Sequence, residues 1–179
     1  MKQRITEIKR MQKLAGIITE NDQSQDLSPE QAANKAIQMA PKIEASPEID
    51  QLAAKIAKNP NLMKDLEAAL QKGGISMNEE IEQLDKSDMK TLALNFAKKS
   101  EEINERISSD PGSDTSSVGL GMASGLVGGT LAAPFSSAIA SAVPILGTAF
   151  AGPAIAGALV GIGLFILARK VYLKMNPDL

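Results

Sequence analysis

The chain has 179 residues, 19 Lys/Arg against 21 Asp/Glu for a formal charge of −2, and neither Cys nor His. This excludes disulfides, thiol nucleophiles, Cys or His metal sites and the commonest general base. A single Tyr, four Phe and no Trp are too few for base-stacking platforms, and the charge balance offers no footprint for a phosphate backbone. The expectation is a non-enzymatic protein with no catalytic residues, no cofactor, no metal and no nucleic-acid partner.

In chain order, residues 1–20 read as an amphipathic leader helix. Ile5, Ile8, Met11, Leu14, Ala15 and Ile18 recur at three- and four-residue spacing and make one oily stripe. The stripe reads first as a packing face, because Glu7 and Glu20 temper the basic side that a membrane-surface helix needs. The scattered Lys and Arg leave no uninterrupted apolar core for a cleavable secretory signal.

Residues 28–107 read as a soluble region of short, capped helices. Ser28-Pro29-Glu30-Gln31 carries a capping box and a Pro at the first helical position, which predicts a helix ending near Ala40, before Pro41. Ser46-Pro47-Glu48 repeats the start signal, and Ile49, Leu52, Ala53 and Ile56 follow on one face. Asn59-Pro60 opens a third helix with Leu62, Met63, Leu66 and Leu70 together, closed by Gly73-Gly74. A further short helix is predicted over residues 78–84. Ser87 is then the expected cap of a long helix whose buried stripe is Met89, Leu92, Phe96, Ile103 and Ile107. Strand periodicity and hairpin turns are missing, so the fold class is all-α. The stripes are narrow and rich in Ala and Met, which predicts a loose helical array over a thin core. Glu79, Glu80 and Glu82, like Glu101 and Glu102, read as solvated helix faces, since adjacent helical residues do not face each other.

Residues 108–117, SSDPGSDTSS, read as a linker. Beyond it the composition changes. Residues 115–168 contain 54 positions without one charged side chain, where ordinary composition supplies roughly a dozen. A charge at the centre of a spanning helix costs about 2.5–3.5 kcal/mol, so such a segment points to lipid or to deep burial in an assembly. Residues 118–175 are therefore expected to form a Gly/Ala-rich apolar helical hairpin of transmembrane type. One span covers residues 118–140, a turn covers 141–148, and the second span covers 149–168 with Arg169, Lys170, Tyr172 and Lys174 as interfacial anchors. Gly121, Gly125 and Gly129 stand four apart, as do Gly157 and Gly161; in lipid, such small-residue registers let helices approach closely.

The run Ile8-Lys9-Arg10-Met11-Gln12-Lys13-Leu14-Ala15-Gly16-Ile17-Ile18-Thr19-Glu20 resembles the N-termini of small virion proteins of marine tailed phages related to the T-even-like myoviruses. That resemblance implies a leader directing the protein into the prohead and a processing cut after Glu20, at the Ile18-Thr19-Glu20 triplet. Asn21 departs from the small residue that the pattern prefers there. The C-terminal half is similar to the glycine-zipper hydrophobic hairpins of bacterial membrane proteins and pore-forming bacteriocins.

Together these readings predict a phage-encoded, membrane-inserting protein, packaged in the virion and aiding passage across the host envelope in an ejection- or holin-like role. The implied partners are a lipid bilayer, further copies of the chain and other virion proteins; the implied locations are the host inner membrane and the virion. The alternative is a structural virion protein whose apolar segment is buried in an oligomer or shell interface.

Overall fold

The computed structural model describes residues 27–75, 85–108, 125–143 and 152–177. The chain is all-α. Its helices are α1 (Pro29–Glu44), α2 (Pro47–Ile56), α3 (Pro60–Lys72), α4 (Lys86–Ser108), α5 (Ala132–Ala142) and α6 (Pro153–Met175). The leader, the short helix expected over 78–84, most of the linker and residues 144–151 lie outside the described residues; the turn expected from 141 does not begin there, because α5 continues to Ala142.

The start signals act locally, as their chemistry requires. Ser28 Oγ accepts from Gln31 N at 3.3 Å while Gln31 Oε1 accepts from Ser28 N at 3.2 Å, which completes the capping box of α1. Asn59 Oδ1 accepts from the amides of Asn61 and Leu62 at the start of α3. At α2 the Ser46 hydroxyl does not cap; it donates to Glu48 Oε2 at 2.7 Å and thereby lowers the Glu48 pKa. The cap of α4 is Asp85 rather than Ser87. Its Oδ1 accepts from the amides of Ser87 and Asp88, and Asp88 Oδ2 accepts in return from Asp85 N at 2.9 Å.

Helix α1 does not stop at Ala40. It continues through Pro41 to Glu44, and Ala45 N still donates to Pro41 O at 3.0 Å. The proline removes one amide on the solvent side, while the added turn carries Ile43 into full burial. At the end of α3, Gly73 keeps a right-handed backbone and Gly74 takes φ +90°, the left-handed step that lets the chain leave the helix.

The principal departure from expectation is the place of α6. It is the central helix of the molecule. Helix α4 packs against it most extensively, followed by α1, α2, α3 and α5, and every residue from Ala154 to Ala168 is buried. A soluble region over 28–107 beside a separate apolar segment over 118–175 is thus not how the chain packs. The thin core expected of the N-terminal helices is completed by α6. Ile43, Ile49, Leu52, Ile56, Leu66, Leu70, Leu92 and Phe96 join Leu159, Ile162 and Leu167 in one continuous cluster. A helix apolar on every face has to be enclosed, whether by protein or by lipid. Here four amphipathic helices, α1 to α4, supply that enclosure together with α5.

Candidate functional site: the enclosed apolar helix

Helix α6 is 23 residues long, with a mean hydropathy of 1.9 over its most apolar 18-residue window, and 89% of that window is buried by the rest of the protein. Among the described residues it is the one helix long and apolar enough to cross a membrane. The expected first span over 118–140 is not a single helix. A helical turn over 125–127 breaks at Gly128 and Gly129, with φ +73° and +64°, before α5 begins.

The two glycine registers have different fates. Gly157 faces the Phe96 carbonyl and the Ser100 hydroxyl of α4, and Gly161 faces the Leu92 carbonyl and the Ala93 backbone. Glycines four apart on α6 thus meet carbonyls four apart on α4, and the two helices run antiparallel. A Cβ at Gly161 would stand 2.6 Å from Leu92 O, so the groove expected to receive a helix in lipid is filled by α4 of the same chain. Gly163, which sequence spacing did not single out, faces Phe135 and Ile139 of α5. It lies about 200° around the helix from Gly161, at roughly 100° per residue; α6 is close-packed on two opposite sides.

The register Gly121, Gly125, Gly129 does not form one groove. Gly121 lies outside the described residues. Nothing stands within 4 Å of a Cβ built at Gly125, and the left-handed backbone of Gly129 takes it off the helical face that four-residue spacing presupposes. Glu20, the candidate processing position, also lies outside the described residues.

The anchor residues cluster at the C-terminal end of α6. Arg169 and Lys174 are exposed, Tyr172 is half-buried, and Lys170 Nζ pairs with Asp50 Oδ1 of α2 at 2.6 Å. Cations at this end also complement the helix dipole.

Three further sets of polar contacts tie the apolar half to the sheath, and sequence reasoning found none of them. The Ser100 hydroxyl, fully buried on α4, donates toward the carbonyls of Ala97 and of Pro153 at the start of α6. Asp65 of α3 accepts from Thr130 N at 2.7 Å, Thr130 Oγ1 at 2.6 Å and Leu131 N at 3.3 Å, capping α5 from another helix. These bonds, led by the Thr130 hydroxyl, hold the Asp65 pKa below its ordinary 3.8. Lys72 Nζ donates to the carbonyls of Leu126 and Val127. Asp65 and Lys72, seven residues apart, share one face of α3 and clamp the Gly128-Gly129 turn from both sides. The only local signal is that i, i+7 spacing; their partners lie more than fifty residues away.

Among the described residues, no group of three or more Asp or Glu side chains is arranged as metal ligands. Comparison of the chain with protein-family models, with curated proteins and with solved structures finds no match.

Proposed function

We propose that this is a non-enzymatic membrane-inserting protein and that the bundle is its water-soluble, closed form, in which the spanning helix is carried inside a sheath of amphipathic helices. The observation that carries the reading is α6 itself. At 23 residues and about 1.5 Å per residue it extends about 34 Å; its charge-free part before Arg169 covers about 24 Å, and the long side chains of Arg169 and Lys170 make up the rest of a hydrocarbon layer of about 30 Å by reaching out to the headgroups.

Insertion exchanges one apolar enclosure for another. Leaving the bundle removes α6 from α1, α2 and α4, and lipid replaces those contacts; each sheath helix keeps one apolar face, suited to the membrane interface. Arg169, Lys170 and Lys174, with Tyr172, remain at the headgroups. Lys170 must leave Asp50, a pair at the surface and worth at most about 1 kcal/mol. Release also uncovers the Gly157–Gly161 groove, which a second copy of α6 then fills, giving a homo-oligomer. Borne in a virion, as the leader's resemblance implies, the protein is delivered with the genome and aids its passage across the host inner membrane.

One observation favours the alternative, a structural virion protein whose closed bundle is its final state: Gly157 and Gly161 are already close-packed by α4. Truncation before α6 cannot separate the readings, because it removes the centre of the core. A reversible lock can. The chain has no cysteine, and the hydrogen bond from Ser100 to the Pro153 carbonyl brings α4 and the start of α6 into contact; a Ser100→Cys, Pro153→Cys variant, its disulfide verified by the loss of free thiol on oxidation, ties the two helices. Incubated with vesicles and washed with alkaline carbonate, the reduced variant and the parent chain are expected to stay with the membrane, and the oxidised variant to be released. Release of all three ends the membrane-inserting reading and leaves the structural one.

A further inference from the structure

The two close-packed sides of α6 are closed by unlike means. On one, the 23-residue α4 lays its backbone against Gly157 and Gly161, and the buried Ser100 hydroxyl reaches the Pro153 carbonyl. On the other, Phe135 and Ile139 of the 11-residue α5 meet Gly163 through their side-chain tips. Helix α5 is also incomplete by itself. Its N-cap, Leu131, makes no side-chain cap, and neither its first nor its last turn carries a charge. A helix this short is marginal alone in water. Asp65 of α3 supplies what it lacks, accepting from Thr130 N, Thr130 Oγ1 and Leu131 N with its charge at the positive end of the helix dipole. Two turns along the same face of α3, Lys72 donates to the carbonyls of Leu126 and Val127, where the preceding helical turn ends. Between these contacts Gly128 and Gly129 turn the chain with positive φ. Residues 125–143 hold no charged side chain of their own. The contacts lie at the surface: Thr130 and Lys72 are exposed and Asp65 is half-buried.

We infer that α5 is a gate on the closed bundle, latched by Asp65 and Lys72, and that α6 leaves through the side that α5 covers. The inference rests on the membrane reading above for where α6 goes; that α5 opens ahead of the other helices is independent of it. Swinging α5 away breaks side-chain contacts at Gly163 and the surface hydrogen bonds of the latch. Exit by the other side first requires the backbone of α4 and the buried Ser100 bond to give way. Helix α3 stays in place as the latch opens, because Leu66, Ala69 and Leu70 hold it fully buried in the core. The freed segment presents Leu126, Leu131, Phe135 and Ile139, all buried in the closed bundle, and has no charge to oppose its entry into an apolar layer beside α6.

Because the chain has no cysteine, single thiols report opening helix by helix. Ala138→Cys places one on the buried side of α5, and Ala97→Cys places one on the face of α4 that carries Ala93 against α6. Maleimide labelling without lipid is expected to be at least about tenfold faster at the α5 thiol, since opening one part costs less than opening the whole. Asp65→Ala with Lys72→Met speeds labelling of the α5 thiol by a further tenfold or more, roughly the scale of hydrogen bonds to charged groups, and leaves the α4 thiol unchanged. Thr130→Val, at an exposed side chain, deletes one bond of the latch and gives a smaller acceleration with the helical circular dichroism of the parent. Equal labelling of the two thiols, or latch variants that leave the α5 thiol unchanged or speed both thiols alike, overturns the inference. With vesicles of equal parts phosphatidylcholine and phosphatidylglycerol, the latch variants are expected to become carbonate-resistant sooner than the parent; insertion no faster than the parent's overturns the exit through α5. Selective labelling of α5 with carbonate release of every chain leaves the gate and removes the proposed insertion; uniform labelling with carbonate retention does the reverse.

Discussion

Gly121, Gly125 and Gly129 repeat every fourth residue, and so do Gly157 and Gly161, yet only the second register forms a packing surface. In α6 the glycines lie in an unbroken helix, and the backbone of α4 presses against each of them. In the first register, Gly128 and Gly129 adopt positive φ, the helix ends, and Gly125 faces open space. Four-residue spacing of small side chains is therefore not sufficient for a groove; the helix must continue through the register and a partner must arrive. The same residue type serves close approach in one place and chain reversal in the other.

Substitutions sharpen this contrast, and the largest effect is expected at Gly161. A Cβ there meets Leu92 O at 2.6 Å and the Ala93 Cα at 2.9 Å, both backbone atoms that cannot rotate away. Overpacking of a core costs about 1–3 kcal/mol for small insertions, and the helix-propensity gain of about 1 kcal/mol on replacing glycine does not offset it. Gly161→Leu should destabilise the bundle by more than about 3 kcal/mol, and urea unfolding followed by circular dichroism should show a lost or non-cooperative transition. A stable, cooperative Gly161→Leu protein would refute the crossing of α4 and α6.

Next comes Gly129→Val. An L side chain at φ +64° costs about 1–2 kcal/mol, and its Cβ would stand 2.6 Å from the Asp65 carboxylate. A loss of about 2 kcal/mol in the same assay is expected, with faster exchange of the Thr130 and Leu131 amides.

Removing the partner of that turn has a smaller consequence with a distinctive pH signature. The Asp65 pKa is lowered in the folded state. Its contribution is therefore full above the ordinary carboxylate value of 3.8 and is lost as pH falls through the lower folded value. The amide shifts of Thr130 and Leu131 should titrate with Asp65 below that ordinary value, and Asp65→Ala should abolish the titration. Persistence of the titration in that variant would show that another acid holds the turn.

The smallest effect is expected at Gly125. Gly125→Ile points into open space and should change stability by less than about 0.5 kcal/mol, although it stands in a glycine register as regular as that of Gly161. A large loss there would restore the first register as a packing surface.

Much of the helical order was legible from residues 28–107, because caps and amphipathic stripes are local chemistry. The Ser28 capping box, the Asn59 cap and the Gly73-Gly74 exit each involve partners within a few residues. The misread boundaries at Pro41 and Ser87 were settled by less local terms: burial of Ile43 draws α1 past its proline, and Asp85 competes successfully for the first amides of α4. The sheath reads as a loose array over a thin core because its central partner, α6, reads as belonging to another environment. The candidate contacts of Ser100, Asp65 and Lys72 were not legible, since a polar side chain on a helix carries no local mark of a hydrogen-bond partner fifty or sixty residues away.

Periodicity, capping and the complete absence of charge over residues 115–168 determined an all-α chain whose C-terminal apolar segment, read as two spans over 118–140 and 149–168, must be shielded from water. Only the tertiary structure decided what shields it here. Apolar side chains gain comparably from a protein interior and from hydrocarbon, so hydropathy alone cannot tell the two apart. The choice rests on shape: Gly157 and Gly161 admit the backbone of α4 and Gly163 admits Phe135 and Ile139, so that the amphipathic helices close around α6 at packing distance.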